Sequence, residues 1–489
     1  MTQPNPPKFE AAVDLLREDF SDPAELGCYL ASVALLKYLE ELKEPDSDIV
    51  AIPNGTTEPL LLRMPPAQDF FGQHERIPHH DIDQLLNYSL RALQEVNESE
   101  MDGMFTGVDF CTPRLGLPDH RQQKLRILVD LIGCINFSSI ISFAQQNWTI
   151  NDLLLKPKGT RSASRFMLEY VTPADVATLM SRIVVPRAGE SIYDPACGSG
   201  RLLLACINEA SSNGQMGIRT EGDEKHYSTW ALAKLNYIFN GRASGGIKLR
   251  DSARRLDQEQ TSSFEAGYDI VLSNPPKGLR DWERSGLRSQ IFDRLGFGIP
   301  PKTSGDFAFL LHMVDSMKPN SGRSATLVPD GVLFRLGVEG SIRERLVAHG
   351  LVSAVISLPA RLLYNTSAPT SLLIMRRAEL PEEVLFIDAR NSGVASGARN
   401  ALDNEAIARI TSVFWSRQES SGFSASASFE EIEANHFSLL PSQYVNSIET
   451  SSTYDFSAVL DERKRLQDEL LAVENELDRL YWELAEGSR

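Results

Sequence analysis

From about residue 163 to residue 390 the chain alternates helical patterns with short strand-like runs, at 191–193, 217–220, 247–249, 270–272, 324–328, 352–358 and 371–375. That alternation leaves few folds open. Each run is too short to be a buried helix, and the intervening segments are long enough to cross back over a sheet. Strands joined by helical crossovers lie mostly parallel, with the helices packed on the sheet faces. The predicted fold class is therefore α/β.

The flanks carry a different pattern. Phe9, Ala12, Val13, Leu15 and Leu16 open an amphipathic segment, and another runs from Leu26 through Tyr38 to Leu42. Helical spacing returns at 82–96 and 122–143, whereas the proline-bearing stretch 50–78 is predicted to be loop. A polar, basic stretch at 156–162 marks a boundary. Residues 418–428 are Ser-rich and predicted to be a loop or flexible linker. Beyond it Phe456, Val459, Leu466, Leu470, Val473, Leu477, Leu480 and Leu484 fall on alternating three- and four-residue steps, with Arg463 taking one step of the series. This is a coiled-coil-like seam. It can pack on its own protein, but its place behind a linker favours a partner helix. The expected organisation is an N-terminal helical domain (1–158), an α/β domain (159–417), a linker and connecting segment (418–454) and a C-terminal partner helix (455–489).

Composition narrows the function classes. With 42% apolar and 24% charged residues, the 489-residue chain has the make-up of an ordinary globular protein with a large core. No apolar run is long enough to cross a bilayer, and MTQPNPPKFE lacks the apolar segment of a signal peptide, so a cytoplasmic protein is expected. The five cysteines are odd in number and form no C-x-x-C pair, and the histidines form no H-E-x-x-H. No metal site or disulfide framework is expected. The formal net charge of −17 argues against a chain that grips nucleic acid unaided.

The turn after run 191–193 reads Asp194-Pro195-Ala196-Cys197-Gly198-Ser199-Gly200 and leads into an apolar helix. Gly198 and Gly200 permit a tight turn and close approach of a ligand to the backbone. A dinucleotide fingerprint needs G-x-G-x-x-G and a P-loop needs G-K-[ST]; neither is present. An acid before the glycines repels phosphate and suits a cation. The sulfonium and amino group of S-adenosylmethionine fit. Two further acids follow the next runs. Glu224 is placed to take ribose hydroxyls, and Asp251, with Ser252 beside it, to accept from an adenine amino group.

Asn274-Pro275-Pro276 ends the run at 270–272, over the same sheet edge. The exocyclic nitrogen of adenine is a poor nucleophile because its lone pair is delocalised into the ring. An Asn side-chain oxygen and the Pro275 carbonyl can accept its two hydrogens and aim the lone pair, so that positioning and electrostatics carry the step. The prolines fix their own φ and stiffen the loop.

With these residues in view, most of the chain resembles the DNA N6-adenine methyltransferases, and specifically the modification subunits of type I restriction–modification systems. Tyr170-Val171-Thr172-Pro173 matches the family's methionine-binding motif, Asp194–Gly200 its glycine motif, Glu224 its ribose acid, Asp251-Ser252 its adenine-side acid and Asn274-Pro275-Pro276 its catalytic motif. Segments 305–309, 329–335, 358–366 and 435–445 resemble later family segments. The resemblance implies a Rossmann-like, S-adenosylmethionine-dependent methyltransferase domain acting on a flipped adenine in double-stranded DNA. It also implies assembly with a DNA-specificity subunit, a second copy of the chain and a restriction nuclease subunit. The N-terminal helical domain would then contact DNA and subunits, and the basic residues Lys156, Lys158, Arg161 and Arg165 would either meet phosphates or form a solvated linker.

Lys277 departs from the family, which places an aromatic residue after Asn-Pro-Pro. A flipped base is ordinarily repaid by stacking, and a lysine offers no π face. Three readings follow. Another residue, such as Phe334 or Tyr364, does the stacking in an active adenine methyltransferase. Alternatively the chain is a catalytically weak DNA-binding and assembly subunit. In the third, the acceptor is a protein glutamine.

Overall fold

The computed structural model describes residues 7–54, 58–65, 71, 81–143, 149–150, 152, 171–252, 267–280, 282, 296–364, 368–377, 383–396, 399–445 and 465. The chain divides into two compact units, Met1–Asn446 and Ser447–Arg489. The C-terminal seam lies outside the described residues, as do the basic run 156–165 and Tyr170.

The N-terminal part of the first unit is built on the helix Pro23–Leu42. Asp22 caps it by accepting from the Ala24 N–H, and Pro23 supplies a preset φ at its first turn. Apolar residues run almost all round this helix, so it is buried on nearly every side by its neighbours Pro7–Leu16, Ile82–Val96, Pro118–Gly133 and Phe137–Phe143. The expected helix at 122–143 is thus two helices. The stretch 50–78, expected as loop, contains all but the first residue of an antiparallel hairpin, β1 (Ile49–Ile52) with β2 (Leu60–Arg63). Period-two alternation buries Val50, Ile52 and Leu62 on one face, and that pattern outweighed the nearby prolines.

The α/β part holds a nine-stranded sheet. Its strands are β3 (Ser191–Asp194), β4 (Arg219–Glu224), β5 (Ile247–Leu249), β6 (Ile270–Ser273), β7 (Arg323–Pro329), β8 (Val352–Ser357), β9 (Thr370–Arg376), β10 (Glu383–Asp388) and β13 (Ser424–Ser428). Their order is β13-β10-β8-β9-β7-β6-β3-β4-β5. β3, β4, β5, β6 and β7 are parallel to their neighbours in that series, and β8 is parallel to β10. β9 runs antiparallel between β7 and β8, and β13 runs antiparallel to β10. A small ribbon, β11 (Val394–Ser396) with β12 (Arg399–Ala401), stands apart. Strands β3, β6 and β8 are buried along their whole length, as expected of strands with helices on both sheet faces.

Two departures from the sequence expectation are instructive. The run expected at 217–220 is the strand Arg219–Glu224, in which Glu221, Gly222 and Asp223 are buried, because the charges on Glu221 and Asp223 are neutralised by Arg250. The Ser-rich stretch expected as a loop or flexible linker contains the edge strand β13, paired residue for residue with β10 from Glu383↔Ser428 to Ile387↔Ser424. Small residues suit an edge strand whose Ala427 side chain tucks into the core. Residues 429–445 continue across the unit as the helix Phe429–Ala434, closed by a capping box between Ser428 and Glu431, and as a segment that buries Leu439 and Val445. No described helix is long and apolar enough to cross a membrane.

Candidate active site at the carboxyl edge of the sheet

The chain leaves β3 toward β4 on one side and returns to β6 on the other, so β3 and β6 flank the switch point of the sheet. A crevice opens there outside the carboxyl ends of the strands. Asp194 is the last residue of β3, and Asn274 directly follows β6. The two are tied through Ser273, whose hydroxyl donates to Asp194 Oδ1 at 2.8 Å.

The glycine turn is built as its sequence requires. Gly198 and Gly200 have φ of 55° and 79°, the left-handed region that strains other residues. The Ala196 N–H donates to Asp194 Oδ1 at 3.0 Å, the Cys197 N–H to the Asp223 carbonyl at 2.9 Å, and Asn236 Nδ2 to the Ser199 carbonyl at 2.9 Å. The helix Arg201–Ser212 begins immediately afterwards.

Asp194 is almost fully buried. Burial pushes its carboxyl up to about 7, bonds from Ala196 and Ser273 oppose the rise, and the nearby carboxylates of Glu224 and Asp223 add to it. Glu224 ends β4, and its carboxylate accepts from the His226 N–H at 2.7 Å. Burial raises its pKa as well, against the pull of backbone N–H groups of His226, Lys225 and Gly198. Asp251 lies 3.2 Å from Lys225 Nζ, and Ser252 is buried beside it. Thr172 and Pro173 precede the helix Ala174–Val184, and Thr172 Oγ accepts from Asn274 Nδ2 at 3.2 Å. That bond fixes the amide so that Oδ1 faces the other way.

Thr172, Asp194, Ala196, Ser199 and Asn274 line one cleft, together with Cys197, Arg201 and Leu202. The structure thus gathers residues of three predicted motifs around one space. Glu224, Asp251 and Ser252 stand at or just after the next two strand ends, outside that lining. Lys277 Nζ donates to Asn274 Oδ1 at 2.6 Å. Pro275 is buried and Pro276 half-buried between them. The two aromatic candidates diverge: Phe334 is half-exposed next to Arg335, whereas Tyr364 has the Arg399 guanidinium 5.2 Å from its ring centre.

Several supporting residues escaped the sequence reading. Arg201 reaches Thr149 Oγ at 2.5 Å and Asp152 Oδ1 at 2.8 Å, so the N-terminal part braces the turn. A cation in the first turn of a helix opposes the helix dipole, and that misplacement was the available signal. Asn236 sits fully buried inside an apolar helix, Tyr227–Phe239, a poor place for an Asn without a task. Asp306 takes the Gly278 N–H at 2.8 Å and the Ser304 hydroxyl at 3.0 Å, anchoring the loop after Asn-Pro-Pro.

A sheet of this order, with its switch point opening on an acid-led glycine turn, has the fold of Rossmann-like methyltransferases that use S-adenosylmethionine. Comparison with known proteins narrows the class. Residues 153–453 match the family model described as N-6 DNA methylase. The chain is 30% identical over 472 residues to the MjaVIII type I restriction enzyme methylase subunit of Methanocaldococcus jannaschii, a match covering 91% of this chain and 76% of that one. It is 29% identical to the HindI methylase subunit of Haemophilus influenzae, over 72% of this chain and 77% of the relative. A solved type I restriction-modification system methyltransferase subunit from Streptococcus thermophilus superposes with a TM-score of 0.73 at 24% identity, over 92% of this chain and all of that one, and so shares the fold. The chain belongs to the N-6 DNA methylase family, among the methylase subunits of type I restriction enzymes.

Proposed function

We propose that the chain transfers a methyl group from S-adenosylmethionine to N6 of an adenine turned out of duplex DNA, as the modification subunit of a type I complex. The observation that carries this reading is the single cleft shared by Thr172, Asp194 and Asn274. The donor set fits the cofactor. A nearly buried carboxylate with a raised pKa is short of positive charge, and the cofactor's amino and sulfonium groups supply it. Glu224 would take the ribose hydroxyls, Asp251 and Ser252 the adenine edge, Tyr170 and Thr172-Pro173 the methionine side, and Pro195, Ala196, Gly198, Ser199 and Gly200 the backbone of the turn. When bound, the cofactor offers a methyl group on a positively charged sulfur.

The protein's part is to hold the acceptor. Asn274 Oδ1 and the Pro275 carbonyl accept the two N6 hydrogens, which directs the lone pair toward the methyl group. Thr172 keeps the Asn274 amide in the orientation this needs. The N6–carbon bond forms as the sulfur–carbon bond breaks, and N6 then loses one proton to solvent.

The net charge of −17 supports a chain that meets DNA only within an assembly, so we assign sequence choice to a separate specificity subunit and nuclease action to a restriction subunit. In that assembly the N-terminal helical part (1–158) and the C-terminal segment (455–489) would make the subunit and DNA contacts. The test is methyl transfer from labelled S-adenosylmethionine to unmethylated genomic DNA, by the chain alone and with its specificity partner. Label in N6-methyladenine only with the partner is expected. Cofactor binding without label in either case would reject the reading. One observation favours a second reading, a catalytically weak assembly subunit: the Lys277 ammonium already occupies the acceptor oxygen of Asn274. The same experiment separates the two.

A further inference from the structure

Resting on that function, we propose that Lys277 is a displaceable cap on the methyl-acceptor site and makes the empty site discriminate by cofactor charge. The ammonium fills Asn274 Oδ1, the oxygen assigned to the adenine amino group, at 2.6 Å. Asn274 is 5% exposed and lines the cleft, and the ammonium gives its oxygen a charge-assisted hydrogen bond. Lys277 itself is half-exposed on the turn after the prolines, and its stem reaches inward to make the bond.

An amide oxygen has two lone pairs, so geometry alone lets it hold the ammonium and an adenine N–H together. Charge does not. The methyl donor carries a sulfonium, and its positive charge passes to N6 with the methyl group. An ammonium held on Asn274 Oδ1 disfavours that charge at either end of the transfer. Transfer therefore requires Lys277 to leave Asn274 Oδ1, and the incoming DNA provides phosphate oxygens at the cleft mouth to receive it. Before DNA arrives, the cap disfavours the charged cofactor relative to its neutral thioether product, S-adenosylhomocysteine. Lys277 is thus a positioning and specificity residue that links base entry to productive cofactor binding.

The experiment is calorimetric titration of the full chain, without DNA, with S-adenosylmethionine and separately with S-adenosylhomocysteine. Lys277→Met is expected to tighten the charged cofactor about fivefold, with the thioether unchanged, because only one ligand feels the ammonium. Lys277→Arg, which keeps the charge, is expected to retain the wild-type ratio of affinities. A ratio that is the same in Lys277→Met as in wild type overturns the cap. If Lys277→Met binds neither ligand, Lys277→Gln is titrated in the same way and its ratio decides by the same criterion. Methyl transfer to DNA is measured in parallel with the specificity partner. Label with an unmoved ratio rejects the cap and keeps the methyltransferase reading. A shifted ratio with no label in any variant keeps the cap and rejects that reading.

Discussion

Asp194 shows how a single side chain can be tuned for a ligand at the expense of the empty protein. Its folded carboxyl is raised from 3.8 to about 7, with burial as the main cause. Below 3.8 the group is protonated in both the folded and unfolded chain. As pH rises toward 7 the unfolded chain ionises first, so the empty protein loses stability across that window. A cationic ligand favours the ionised form and lowers the pKa again. Cofactor binding at pH 6.5 should therefore release roughly three-quarters of a proton, falling to nearly none at 8.5. Calorimetry in two buffers of different ionisation enthalpy measures this, and equal proton release at both pH values would reject the link. Asp194→Asn should weaken the cofactor by about tenfold or more, the order of a lost charge-assisted hydrogen bond. The same variant should melt higher than wild type at pH 8 when empty. At this scale the motif residues were legible because a strand, a glycine turn and a helix follow each other in the sequence. The Lys277–Asn274 and Arg201–Asp152 contacts were not, since they depend on which way side chains point across a loop.

Elements were legible where burial made them apolar and illegible where pairing or charge made them. The strand at 270–273 stands out as a hydrophobic run, whereas β4 is acidic and its buried carboxylates make sense only beside Arg250. β13 is polar in sequence and exists because β10 presents it a ladder. The turn and loop that carry the site depend on comparable long-range props. Asn236 satisfies the Ser199 carbonyl and the Ile150 N–H from within a buried helix. Asn236→Ala leaves both without it, and urea denaturation should show a loss of about 2–3 kcal/mol. Asp306 is the corresponding prop for the Asn-Pro-Pro loop, through Gly278. Asp306→Ala should leave cofactor affinity within twofold and lower kcat by about tenfold to a hundredfold, because misplacement of the acceptor costs rate more than binding. A fall in affinity with kcat intact would assign Asp306 to the cofactor side instead.

For the whole molecule, the sequence suggested separate N-terminal and catalytic domains, yet apolar residues from both share one core. The cluster that begins with Phe9 and Leu16 continues through Leu35, Trp230 and Phe239 to Leu272 and Phe423. Polar ties cross the same junction. Tyr227 OH donates to the Gly103 carbonyl at 2.7 Å, Ser244 Oγ to the Glu100 carbonyl at 2.6 Å, and Arg242 to the Asn54 carbonyl at 2.9 Å. The helix Tyr227–Phe239 joins the two parts, since it packs on the sheet with one side and on the helix Pro23–Leu42 with the other. A helix apolar all round can be recognised in a sequence, but the partners of its two faces cannot. Loss of the N-terminal helices strips one whole face of Tyr227–Phe239 into water, which costs about 25 cal/mol per Å² of apolar surface exposed. The two parts should therefore unfold together. Differential scanning calorimetry of the full chain should give a single cooperative transition for this unit, with calorimetric and van't Hoff enthalpies in agreement. A substitution on the N-terminal side of the junction, Leu35→Ala, should move that whole transition down, by about 2–5 kcal/mol in stability. Two resolved transitions, with only the first moved by Leu35→Ala, would mean that the shared core is a contact between independently folding parts.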